Sequence, residues 1–146
     1  MIENAAREPE IEDLQEYLRR LGAEIGGAGT DTITVSGFSP GKAVGHRIMP
    51  DRIACATLLC AAAAAGGDIE LLGVVPQHFS TVTHLLSRAG CAIMTTNHSV
   101  RLISDGRLSG VDQVSTGPYP SFPTDAQPPL MAATRKVPPL RARANE

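Results

Sequence analysis

Residues 51–65 read DRIACATLLCAAAAA. Past Arg52 this stretch holds no charge, and Ala and Leu dominate it, both strong helix formers. Asp51 stands where an N-cap belongs, and Gly66-Gly67 supplies the stop. The stretch is therefore predicted to be a helix. An amphipathic surface helix would show a polar face, and this one has none, so it is predicted to be buried on nearly all sides. A helix of that kind needs other elements around it, and the flanking sequence is expected to supply them.

On the C-terminal side, Ile69, Leu71 and Leu72 predict a strand. On the N-terminal side, residues 37–45 read as a loop and Arg47 to Met49 as a short strand. Further back, Ile11, Leu14, Leu18 and Leu21 mark one face of a helix opening at Pro9. Glu8, Glu10, Glu12 and Asp13 suit its positive end, Arg19 and Arg20 its negative end, and Gly22 its C-cap. Ala23 to Ile25 and Thr32 to Ser36, joined by a glycine-rich turn, predict a hairpin. The run GAGTD in that turn is a poor phosphate loop, because no helix follows it.

The same order recurs later. Gln77 to Ala89 predicts a helix with Val82, Leu85, Leu86 and Ala89 inward, closed by Gly90 as Gly22 closes the first. Gly22 and Gly90 are 68 positions apart, Ile33 and Val100 67, and Asp51 and Asp125 74. A unit of roughly 70 residues repeats, which implies stacked α/β units. The chain divides on this reading into 1–37, the end of one unit; 44–110, a second; 111–134, the start of a further one cut short; and 135–146, a tail expected to be disordered. The truncated unit carries its own apolar helix, predicted over 126–134.

Composition limits the function. The chain has 146 residues, 13 Lys+Arg against 15 Asp+Glu and a formal net charge of -2. Nothing there attracts nucleic acid or an anionic membrane. Aromatics are 3% with no Trp, so the core is built from small aliphatic side chains. Cys55, Cys60 and Cys91 form no CxxC pair, and an odd count makes no disulfide framework, so reduced thiols in the cytoplasm are expected. His46, His78, His84 and His98 lack ligand-like spacing and are expected on the surface or in loops, and no metal or cofactor is expected. The chain opens Met1-Ile2-Glu3-Asn4 with no signal-peptide core, and no window approaches the ~18 apolar residues of a membrane span.

Four segments occur in a telling order: IENAAREPEI (2–11), GAGTDTITV (27–35), PDRI (50–53) and FPTDAQ (122–127). Taken singly, Asp51 and Asp125 read as helix N-caps. Taken together, the four segments resemble the UDP-N-acetylglucosamine 1-carboxyvinyltransferases, a family of enolpyruvyl transferases, from Ile2 to about Thr134. The resemblance implies an inside-out α/β fold with buried helices and outer sheets, present only in part. It implies transfer of enolpyruvyl from phosphoenolpyruvate to the 3-hydroxyl of UDP-N-acetylglucosamine, in peptidoglycan precursor synthesis. It places Asp125 as general base, Thr124 with Pro123 in the turn presenting it, and Asp51, Arg52, Glu8 and Glu10 along the substrate cleft. The family's acid and glycine after PDRI are replaced by Ala54-Cys55-Ala56. Its lysine-asparagine pair, loop cysteine and late arginines have no counterpart, so none of the three cysteines is given a catalytic role and the chain alone is expected not to turn over. The alternatives are a non-catalytic homologue that binds a nucleotide sugar or a partner chain supplying the missing units, and a fragment of the related enzyme acting on shikimate 3-phosphate.

Overall fold

The glycine turns set the geometry of both halves. In the computed structural model, which describes residues 1–39, 41, 43–111 and 113–134, Gly22 and Gly90 adopt φ values of +105° and +107°. Each follows a helix whose last residue is still right-handed, and each donates its N–H three residues back, to Arg19 and Ser87 carbonyls at 3.0 Å. The same C-terminal stop has been used twice, as the spacing of the repeat predicts.

The chain divides into two compact units, Met1–Met49 and Pro50–Glu146. In the first, β1 (Ile2–Glu3), α1 (Pro9–Arg20), β2 (Ala23–Gly26) and β3 (Thr32–Phe38) follow one another, and the antiparallel sheet runs β1-β3-β2. β2 and β3 form the predicted hairpin, with a bulge between Glu24 and Ile25. At the turn, Gly27 has φ +92°, and a Cβ there would run into the Thr32 carbonyl. α1 is tied to this hairpin by Arg19 Nε donating to the Ile25 carbonyl (2.6 Å) and by Gln15 Oε1 accepting from the Ala28 N–H (3.0 Å). β1 was not legible in the sequence: it is two residues long and exists only by pairing with β3. Arg47 to Met49, predicted as a strand, pairs with nothing among the described residues.

The second unit contains α2 (Arg52–Ala65), β4 (Gly67–Leu72), α3 (Ser80–Arg88), β5 (Ala92–Thr95), β6 (Ser99–Ser104) and α4 (Gln127–Ala133). Its sheet is antiparallel in the order β4-β6-β5, with Ile69 opposite Leu102 and Ile93 opposite Leu102. α3 enters through a 3₁₀ turn at Pro76–Phe79, because Pro76 has no N–H to give and fits only a first turn. Leu59, Cys60, Ala63, Val82, Leu86, Val100, Leu102 and Leu130 form a closed core between α2, α3, α4 and the sheet. Ser104 Oγ donates to the Ala63 carbonyl (2.9 Å) and accepts from the Gly106 N–H (3.0 Å), so β6 covers an orphan carbonyl at the end of α2.

α2 departs from expectation in one respect. It is buried on one face only: Cys55, Ala56, Leu59, Cys60 and Ala63 are inside, while Ala54, Thr57, Leu58, Ala61 and Ala65 are exposed, Leu58 at 53%. The described elements of the second unit pack against a single side of the helix. An uncharged composition shows which faces tolerate burial, not which faces find a partner. The expected tail, 135–146, lies outside the described residues.

Candidate active site

Asp51 and Arg52 stand at the N-terminus of α2. Asp51 does what its position predicts: Oδ1 accepts from the Ile53 N–H (2.8 Å) and the Ala54 N–H (3.0 Å), satisfying two orphan donors. Its carboxylate is thereby committed to holding the helix start. Arg52 follows, only 5% exposed, with its guanidinium carbon 5.8 Å from the centroid of the Tyr119 ring. A guanidinium on an aromatic face gains cation–π attraction and is held in one orientation.

Tyr119 comes from a turn that the sequence reading did not single out. Thr116 and Phe122 bridge in parallel, Gly117 N–H donates to the Phe122 carbonyl (3.0 Å), and the Tyr119–Pro120 peptide is cis. Its only sequence signal is the proline spacing of GPYPSFP (117–123), which marks a turn but not what it faces. Phe122, buried, anchors the end of this turn in the core.

The chain then passes through Pro123 into a 3₁₀ turn, Thr124–Ala126, and α4. This turn and α4 both pack on α2, so the structure does bring Thr124 and Asp125 to the helix that carries Asp51 and Arg52. Asp125 is not the N-cap of α4. It lies inside the 3₁₀ turn, exposed, and its carboxylate has no hydrogen bond or ion pair among the described residues. Two aspartates in equivalent places of the repeat thus do different things. Asp51 caps a helix, while Asp125 keeps both oxygens open, as a general base needs.

Glu8 and Glu10 belong to the first unit. Glu8 is the half-buried residue before α1, and its Oε2 is buried without a hydrogen-bond partner among the described residues; Glu10 is exposed in the first turn. The cysteines are not candidates. Burial raises the pKa of all three thiols, and that of Cys60, also beside Cys91, is pushed up to about 12. They are poor nucleophiles at neutral pH. Among the described residues, no three His, Cys, Asp or Glu side chains are grouped to hold a metal ion.

Comparison with known proteins decides the family. The family model described as EPSP synthase (3-phosphoshikimate 1-carboxyvinyltransferase) matches residues 1–140. The chain belongs to this family of enolpyruvyl transferases. Two relatives are a UDP-N-acetylglucosamine 1-carboxyvinyltransferase 1 from Symbiobacterium thermophilum, 47% identical, and a UDP-N-acetylglucosamine 1-carboxyvinyltransferase from Myxococcus xanthus, 46% identical. Each aligns over 132 residues, 90% of this chain, and the chain spans about 30% of their length. Among solved structures, the enolpyruvyl transferase NikO from Streptomyces tendae superposes with a TM-score of 0.70, covering 99% of this chain and 35% of that one. At 22% identity that likeness speaks for the fold alone. The enolpyruvyl transferase fold expected from the motifs is therefore present, in part, in this chain.

Proposed function

We propose that this chain carries the acceptor-activating part of a UDP-N-acetylglucosamine enolpyruvyl transferase. The reaction moves the enolpyruvyl group of phosphoenolpyruvate to the 3-hydroxyl of UDP-N-acetylglucosamine and releases phosphate. The observation that carries the reading is Asp125: an exposed, unengaged carboxylate on a turn packed against α2, in a chain whose relatives bear that activity's name.

An alcohol is a weak nucleophile. Asp125 would take the 3-hydroxyl proton as the oxygen attacks the enol carbon of the donor. Arg52, buried and held against Tyr119, is kept as a residue of the substrate cleft. Asp51 contributes by fixing the helix start from which Arg52 projects. Thr124 belongs to the turn that presents Asp125, and Glu8 and Glu10 are kept as substrate-binding candidates of the first unit. We read 1–37, 44–110 and 111–134 as successive pieces of the repeating unit. The rest of the relatives' length lies outside this sequence, and a cytoplasmic setting fits nucleotide-sugar chemistry. No described helix is long and apolar enough to cross a membrane. The shikimate-phosphate alternative is the weaker one, since the relatives at 46–47% identity are named for the amino-sugar substrate.

The test supplies the rest of a family member as a second polypeptide and measures phosphate release from phosphoenolpyruvate with UDP-N-acetylglucosamine present. The chain alone is expected to be silent, because a base accelerates only when donor and acceptor are held in register. In the completed assembly, Asp125→Ala is expected to cost about 10²–10⁴-fold. Turnover by the isolated chain, or a completed enzyme indifferent to Asp125→Ala, overturns the proposal.

A further inference from the structure

Residues 116–122 form a closed loop at the N-terminal end of α2. Gly117 N–H donates to the Phe122 carbonyl (3.0 Å) and Ser121 N–H to the Pro118 carbonyl (2.9 Å), so the chain reverses with Tyr119 at the tip. Gly117 permits the reversal, since a Cβ there would sit 3.1 Å from the Ser121 Cβ. The base of the loop is anchored: Phe122 is buried and packed in the core. The tip meets α2 through the Tyr119 ring, whose centroid lies 5.8 Å from the guanidinium carbon of buried Arg52. The Tyr119 hydroxyl has no hydrogen bond among the described residues, so the ring itself makes the contact.

Asp125 follows three residues after Phe122. Pro123 stands between them with φ at -75°, fixed by its ring, and the Ala126 N–H closes the next turn on the Pro123 carbonyl (3.1 Å). The path from the loop to Asp125 is short and stiff, so a rotation of the loop about its Phe122 base is passed on to the carboxylate. Phe122 and Ala126, both buried, fix the depth of this segment in the core, and the tip contact fixes its rotation. Arg52 suits that task, because it belongs to the first turn of α2 and the Asp51 cap holds that turn. We propose that Tyr119 is a positioning residue of the candidate site: its ring, set on Arg52, locks the 116–122 loop to α2 and thereby holds Asp125 in register with the substrate hydroxyl. The inference rests on the transferase reading for what Asp125 does, and on the loop alone for what Tyr119 does to Asp125.

Two measurements test it. In the isolated full chain, hydrogen exchange follows the Ala126 amide, whose hydrogen bond closes the Asp125 turn. Tyr119→Phe keeps the ring and should leave that amide as protected as in the parent. Tyr119→Leu removes the ring and should speed its exchange about 5–30-fold, the weight of a desolvated cation–π contact, with the β6 amides unchanged. Tyr119→Met repeats the comparison should Tyr119→Leu fold poorly. In the completed assembly, Tyr119→Leu should lower kcat about 10–10²-fold with the KM for phosphoenolpyruvate unchanged, and Tyr119→Phe should keep the parent rate. Added to Asp125→Ala, Tyr119→Leu should cost nothing more, because a misplaced base and an absent one are equivalent; a merely structural role would add its loss in full. An Ala126 amide indifferent to loss of the ring overturns the proposal, as does exchange that speeds equally in β6 or an additive double variant. An assembly indifferent to Asp125→Ala overturns the transferase reading instead, and the exchange result then decides by itself what Tyr119 holds.

Discussion

Gly22 and Gly90 offer a matched pair of single-residue tests. Their φ angles are nearly equal, so replacing either with Ala forces a side chain into the left-handed region at about 1–2 kcal/mol. Their surroundings differ. A Cβ on Gly90 would meet open space, whereas one on Gly22 would run into the Ser39 carbonyl, which is backbone and cannot swing away. Urea titrations are therefore expected to place Gly22→Ala about 1–3 kcal/mol below Gly90→Ala. Equal losses would mean that the Ser39 carbonyl yields freely. Cys60 gives a second test at this scale, through pH. Its thiol pKa is raised from 9.0 to about 12 in the fold, by burial first and by Cys91 second. The folded chain therefore holds a proton that the unfolded chain releases above about pH 9. The stabilising contribution is complete below that pH and is lost as pH climbs toward 12, on the order of 4 kcal/mol at about 1.4 kcal/mol per unit. Stability measured from pH 8 to 11 should fall more steeply in the parent chain than in Cys60→Ala.

At the scale of elements, two hydroxyls on or near α2 should behave oppositely. Ser104 Oγ bridges the Ala63 carbonyl and the Gly106 N–H, so Ser104→Ala removes two hydrogen bonds from a half-buried site. About 1–3 kcal/mol should be lost, at 0.5–1.5 kcal/mol for each. Thr57 Oγ1 donates back to the Ile53 carbonyl on the exposed face, a bond that competes with helix geometry, and Ala is the better helix former. Thr57→Ala is expected to be neutral or stabilising by a few tenths of a kcal/mol in thermal melts. The elements themselves were mostly legible. α1, α2, α3 and the β2–β3 hairpin announce themselves through a 3.6-residue stripe, an apolar run, β-branched residues or flanking glycines. What escaped depends on partners distant in the chain. β1 needs Thr32 and Ile33 to exist, and the His46 contact needs Asp13, 33 positions away. The residue types at the candidate site were readable from the four motifs. The Tyr119 ring over Arg52 was not, because a proline turn carries no signal of the face it presents. Nor did the two aspartates of the repeat announce their difference: each reads as a cap, and only the packed turn around Asp125 leaves it unengaged.

For the whole molecule, the exposed stripe of α2 sets the question. Ala54, Thr57, Leu58, Ala61 and Ala65 form an uncharged face on a helix whose other side is fully packed. The chain spans about 30% of its relatives, so most of the family's length lies elsewhere in them. If a complementing polypeptide restores the inside-out arrangement, this stripe is the surface it must cover. Leu58→Lys separates the two situations. In the chain alone, Leu58 already faces water at 53% exposure, and a charge there should shift stability by no more than about 0.5 kcal/mol. In the completed assembly the same lysine would have to be buried without a partner, or hold the polypeptides apart. Phosphate release should then disappear at concentrations where the parent assembly is active, while the melting of the isolated variant stays as it was. Leu58→Met, matched in volume and uncharged, should retain assembly and turnover. A Leu58→Lys chain that still completes an active enzyme would show that this face of α2 remains in water even in the assembled protein, and that the apolar character of residues 53–65 serves helix formation rather than burial.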